Sequence, residues 1–189
     1  MSDAVSALKG ASFDGTVTVR DAGLQGMITL RGDQGSAKMT KAVKDATGAA
    51  KPGQREITSS GDSGAAWMSP DELLVMVPYD SATEALTKID TALKGEHYLA
   101  VNVSDARAMF EISGAGVREV IAKLCPVDMS PGAFEPGSIR RTRMAQVAAA
   151  IWMTEAGTIR IVCFRSVAEY VYGLLCDAAE PGGEVGYFA

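Results

Sequence analysis

His97 is the only histidine in the chain, so a Ser-His-Asp or Cys-His relay must run through it or not exist. It stands between Glu96 and Tyr98 just ahead of a strand-like segment, and reads as a surface or edge residue. The three cysteines, Cys125, Cys163 and Cys176, are widely spaced among apolar neighbours such as Leu124, Val162 and Leu175, and none forms a CxxC pair. Zinc and similar metals need three or four Cys, His or carboxylate ligands at close spacing, and the sequence offers no such cluster. The adjacent Asp71-Glu72 pair reads as solvated charge in a turn.

Two further features bear on binding. Gly114-Ala115-Gly116 follows a strand and opens a helix, where backbone amides could receive a phosphate. The same glycines serve a tight turn with positive φ, and the corresponding place earlier in the chain holds Gly32-Asp33-Gln34, whose aspartate repels phosphate. A structural turn is the expectation. Arg140, Arg141 and Arg143 form the dense basic cluster, in S-I-R-R-T-R-M. On a strand, alternating arginines put their charge on one face, which is either solvated or an interface, because arginine is enriched where proteins meet. The tail from Pro181 has no periodicity, yet carries Tyr187 and Phe188, large aromatics that are costly to leave in water. These five residues are the candidate interface. Arg165-Ser166 introduces the last helix, with Ser166 as the expected N-cap.

The elements positioning these residues are those of an ordinary globular chain of 189 residues, 47% hydrophobic and 22% charged. A net charge of -5 argues against a general nucleic-acid binder. The amino terminus lacks the basic and apolar regions of a secretory signal, and the longest apolar run, Val147 to Met153, is far below the roughly 18 to 20 residues that cross a bilayer. A cytoplasmic protein that engages no membrane and keeps its thiols reduced is expected.

The pattern repeats. Val17 matches Leu99, Val19 matches Val101, Ile28 matches Phe110, Leu30 matches Ile112 and Gly32 matches Gly114, all at one constant offset. After each glycine comes a helical spacing, Met39, Ala42 and Val43 in one half and Val120, Ile121 and Leu124 in the other. A Pro-Gly pair and a Trp-Met pair follow in each, at Trp67-Met68 and Trp152-Met153. Strand-like Leu73–Val77 and Ile159–Phe164 lead to closing helices with the stripes Leu86, Ile89, Leu93 and Val171, Leu174, Leu175, Ala178. The expected architecture is α+β: two β-β-α-β-β-α pseudo-repeats, 1–95 and 96–180, with largely antiparallel sheets in one folded body, and a tail at 181–189.

V-N-V-S-D-A-R-A-M-F-E-I-S-G at Val101 to Gly114, L-C-P-V-D-M at Leu124 to Met129, F-E-P-G at Phe134 to Gly137, R-T-R-M-A-Q-V at Arg141 to Val147 and F-R-S-V-A-E-Y at Phe164 to Tyr170 together resemble the gamma subunit family of heterotetrameric sarcosine oxidase. That family is similar in fold to the folate-binding domain of the glycine-cleavage T-protein (aminomethyltransferase), whose tandem pseudo-repeat agrees with the one above. The resemblance implies an assembly that oxidises sarcosine to glycine, reduces oxygen to hydrogen peroxide and passes the methyl carbon to tetrahydrofolate. It implies alpha, beta and delta subunits as partners, with FAD, FMN, NAD and zinc held by them and no cofactor in this chain. The chain departs from the T-protein in lacking a counterpart of its folate-gripping carboxylate motif. K-L-C-P at Lys123 to Pro126 departs from the K-G-C-Y-x-G-Q-E signature of a related iron-sulfur assembly factor.

Three readings follow. The first is a non-catalytic structural subunit of a sarcosine oxidase complex, the second a free-standing protein that binds folate or another small ligand, and the third a short methyltransferase. The third lacks converging acid, base or nucleophile. Genes for the other subunits beside this one, or co-purification with them, separate the first from the second.

Overall fold

Local sequence accounts for most of the elements. In Gly26–Gly32, Ile28 and Leu30 alternate with Thr29 and Arg31, and the segment is a strand whose first two are fully buried. Between Ala37 and Thr47 the buried Met39, Ala42 and Val43 share a helix face. Ser36 caps this helix by accepting from the Lys38 amide at 3.2 Å. Gly48 ends it with φ 74°, a left-handed conformation that suits glycine.

The computed structural model describes residues 3–188. In chain order the described elements are β1 (Ser12–Asp14), β2 (Thr18–Asp21), β3 (Gly26–Gly32), α1 (Ala37–Thr47), β4 (Ile57–Ser60), β5 (Ser63–Ser69), β6 (Glu72–Val77) and α2 (Ala82–Ala92). Then come β7 (Tyr98–Asn102), β8 (Arg107–Ser113), α3 (Val117–Leu124), β9 (Ile139–Met144), β10 (Val147–Glu155), β11 (Thr158–Phe164) and α4 (Ala168–Ala178). The class is α+β, and every strand pairing is antiparallel. Each half has one strand more than expected after its first helix. A one-turn 3₁₀ segment, Arg165–Val167, precedes α4, and Ser166 makes no capping bond to it; Val167 holds the cap position instead.

Two compact units result. Residues up to Leu24 join Ala106 onward in one unit, and Gln25–Asp105 form the other. The sheets explain why. β2 pairs with β8 in a six-stranded sheet ordered β1-β2-β8-β11-β10-β9, while β7 pairs with β3 in a five-stranded sheet ordered β4-β5-β6-β3-β7. In the six-stranded unit Val120 and Ile121 of α3 and Val171 and Leu175 of α4 cover Phe110, Ile112, Ile151 and Ile161. In the five-stranded unit Met39 and Val43 of α1 and Ala85 and Ile89 of α2 cover Ile28, Leu30, Leu73 and Val75.

The repeat survives in β3 and β8, where Ile28 and Phe110 are both fully buried and Gly32 and Gly114 both take positive φ, 155° and 136°. A side chain at Gly32 would meet the Met39 methyl at 2.9 Å. In the first strands the matching slips by one. Val19 lies opposite Ile112, whereas Leu30, the counterpart of Ile112, lies opposite Ala100. The equivalent of Val19 is therefore Ala100, not Val101. One residue of slip reverses the face: Val19 is fully buried, while Leu99 and Val101 are 51% and 42% exposed. The tryptophans are displaced likewise. They sit in corresponding strands, β5 and β10, but the residue just before the bulge is Trp67 in one and Met153 in the other. Trp67 consequently packs on the helix side, and Trp152 belongs to the opposite face.

Two buried carboxylates tie the six-stranded unit together. Asp21 accepts from Ser6 Oγ at 2.6 Å and from the amides of Leu8, Gly10 and Gly23 at 3.0, 3.2 and 3.1 Å, fixing the segment ahead of β1. Glu111 takes Arg160 Nε at 2.9 Å on one side and Arg20 on the other. Burial favours the neutral acid in both. The donors outweigh it and hold both carboxyls below their ordinary range. A depressed folded-state pKa contributes stability that is complete above the unfolded values, about 3.9 for Asp and 4.3 for Glu, and lost as pH falls through the folded ones. Acid titration followed by circular dichroism is expected to show unfolding below pH ~4, and Asp21→Asn with Glu111→Gln to flatten that dependence while lowering stability at pH 7. An unchanged acid limb in the double variant would exclude these two groups as its source.

Candidate functional site

Strand β9 ends the six-stranded sheet, and its register sorts the candidate arginines. Arg140 lies opposite Ile151, on the helix side, while Arg141 and Arg143 lie opposite Ala150 and Ala148 on the other face. Consecutive positions cannot share a face. Arg140 is half-buried and occupied at home. Its guanidinium donates to the carbonyls of Ile139 and Ala133 at 2.8 and 3.3 Å and lies 5.6 Å from the Phe134 ring centroid. Arg141 and Arg143 are exposed, and Arg143 donates to Gln146 Oε1 at 2.6 Å.

The same register brings in a residue that the sequence reading did not single out. With Ala149 opposite Cys163, Ala148 stands beside Phe164, so Arg143, Ala148, Phe164 and Arg107 form one row across β9, β10, β11 and β8. Phe164 is 48% exposed under the Arg107 guanidinium, 4.0 Å from its ring centroid. Exposed aromatic and arginine side chains grouped in one row are the composition of a protein-contact surface. The signal in the sequence was the alternation of Ile159, Ile161 and Cys163, which puts Phe164 on the face away from the helices.

The tail is held in place. Glu119, in the first turn of α3, accepts from the amides of Val185 and Gly186, the latter at 2.9 Å. These bonds, led by that from Val185, and the neighbouring Lys123 hold the Glu119 carboxyl below its ordinary range. Phe188 packs on the core of its own unit, whereas Val185 and Tyr187 are 75% and 79% exposed. The two tail aromatics thus divide, their rings edge to face at 4.9 Å. Ala189 lies outside the described residues.

The catalytic candidates are placed as follows. His97 is exposed in the turn between α2 and β7, beside Glu96, Asp33 and Ser36. Cys125 and Cys163 are buried, and burial pushes their thiols up to about 12 and about 11, the latter despite Arg107 nearby. Neither forms thiolate at neutral pH. Among the described residues no three or more His, Cys, Asp or Glu side chains gather as metal ligands would. Gly114 forms a turn, its amide donating to the Gly157 carbonyl at 2.9 Å, and Gly116 opens α3. None of the described helices is long and apolar enough to cross a membrane.

The paired α+β units are a fold shared with aminomethyltransferase T of the glycine cleavage system from Bartonella henselae. The TM-score is 0.56 at 11% identity, covering 80% of this chain and 43% of that one. A closer likeness is to a chain of the heterotetrameric sarcosine oxidase from Corynebacterium sp. U-96, with TM-score 0.81 and 25% identity over 92% of this chain and 90% of that one. Sarcosine oxidase subunit gamma from Corynebacterium sp. (strain P-1) is 28% identical over 174 residues, 91% of this chain and 84% of the relative. The Arthrobacter subunit gamma is 29% identical over 150 residues, 78% of this chain and 72% of the relative. Residues 31–181 match the sarcosine oxidase, gamma subunit family, and the chain belongs to it.

Proposed function

We propose that this chain is a non-catalytic subunit of a heterotetrameric sarcosine oxidase, giving the assembly structure rather than reacting groups. The observation that carries the reading is the likeness to a chain of the solved heterotetramer along nearly the whole length of both. Its partners on this reading are the alpha, beta and delta subunits, which would hold FAD, FMN, NAD and zinc. The assembly would convert sarcosine and oxygen to glycine and hydrogen peroxide, and transfer the methyl carbon to tetrahydrofolate as methylenetetrahydrofolate. The placement of His97 and the thiols supports a role without chemistry: the imidazole is solvated, and two of the three thiols are buried and protonated. Contact with a partner would run through the exposed Arg141, Arg143 and Phe164 on the face of the sheet away from its helices and Tyr187 on the tail, while Arg140 and Phe188 serve their own unit.

Co-expression with the other three subunits, one of them tagged, tests the reading. The chain is expected to co-purify, and His97→Ala or a triple Cys→Ser variant to leave peroxide release per bound flavin within about twofold of wild type. Arg143→Ala with Phe164→Ala and removal of residues after Pro181 is expected to weaken recovery of the chain. A His97 variant that assembles normally yet turns over more than about tenfold slower would overturn the non-catalytic role.

A further inference from the structure

Strand β7 ends the five-stranded sheet, and its outer edge pairs with no strand among the described residues. Its counterpart β2 occupies the same place beside β8, but there the outer edge is covered: β1 pairs with it antiparallel, Ser12 opposite Arg20 and Asp14 opposite Thr18. One edge of the pseudo-repeat is thus closed by an added extended segment, and its equivalent is open. The one-residue slip makes the open edge apolar as well, since it turns Leu99 and Val101 outward. Native edges are ordinarily protected by charge, proline, brevity or a covering segment. β7 has five residues, none of them charged or proline.

The geometry points to β7 as a docking edge that receives an extended segment of another subunit, added as a further strand and carrying aliphatic side chains at alternate positions. This rests on the chain being a subunit of a hetero-oligomer. The occupant is assigned to another polypeptide because both described terminal segments of this chain are engaged. Residues before β2 are fixed by Asp21 and by β1 pairing, and those after Pro181 by Glu119. A second copy is disfavoured by the chain's own net charge of -5. The docking amides can be named. Val103 donates its amide to the Met27 carbonyl at 2.8 Å, so by antiparallel alternation the amides of Leu99 and Val101 also face β3, and those of Ala100 and Asn102 face outward.

Two variants test this in the co-expressed complex with another subunit tagged. Leu99→Lys with Val101→Lys charges the exposed side chains, and Ala100→Pro removes an outward amide without breaking a bond to β3. Both are expected to keep the wild-type circular dichroism spectrum and to lower recovery of this chain by about tenfold or more. Either alone decides if the other does not fold. In the wild-type complex, hydrogen exchange at the Ala100 and Asn102 amides is expected to be slower than in the free chain. Undiminished recovery of folded variants would overturn the docking at β7 while leaving the subunit reading intact. Failure of the wild-type chain to co-purify would remove the subunit reading and this inference with it. Sedimentation showing that β7 joins two copies of this chain would also overturn the assignment.

Discussion

Truncation of Phe110 to alanine is expected to cost about 3–5 kcal/mol, the range for removing a large aromatic from a packed core. Phe110 lies at the centre of β8, fully buried, with β2 on one side and β11 on the other. Its ring stands 6.1 Å from that of Tyr172 on α4, so the void would open between sheet and helix, where neither can relax alone. Thermal unfolding should move down by roughly 6–20 °C, since about 1 kcal/mol corresponds to ~2–4 °C at this size. Phe110→Leu is expected to lose much less, because most of the volume remains. Equal losses for leucine and alanine would mean that the ring's volume is not what the site requires.

Arg118→Ala is expected to be nearly as severe, at about 2–4 kcal/mol, by a different route. Its guanidinium donates to the carbonyls of Met129 and Phe134, each at 2.7 Å, and to Ser130 and Glu135 at 3.3 and 3.1 Å. The segment between α3 and β9 has no ladder of its own, and this one side chain supplies the donors that a strand would have had. Met129 and Phe134 are buried only because that segment is held against the core. Without the donors, carbonyls are left unsatisfied and the Phe134 anchor loosens. Limited proteolysis should therefore cut between residues 125 and 138 in Arg118→Ala and leave the wild type intact. Arg118→Lys should rescue only in part, because one ammonium cannot serve four acceptors spread across a loop. A loop in Arg118→Ala as resistant as that of the wild type would show that packing alone holds it.

The local elements were readable because their signals are local. The periodicity of Met39, Ala42 and Val43 requires a helix, the alternation in β11 requires a strand, and Gly32 and Gly114 mark turns that need positive φ. Those patterns also yield the α+β class, while the family came from the resemblance of the stretches quoted between Val101 and Tyr170. What depended on tertiary structure was register and partnership. The sequence matched Val19 with Val101 because both are valines at the same offset, yet strand pairing makes Ala100 the equivalent, and side-chain identity cannot report a shift between backbones distant along the chain. The exchange of β2 and β7 between sheets was hidden for the same reason, since a strand's partner is chosen by long-range pairing. The candidate surface shows the same limit: three arginines in one short run read as one site, but a pleat separates Arg140 from Arg141, and Phe164 reaches Arg143 only through two intervening hydrogen-bonded ladders. Spacing along a chain specifies which residues can share a face, and only the folded sheet decides which face is covered.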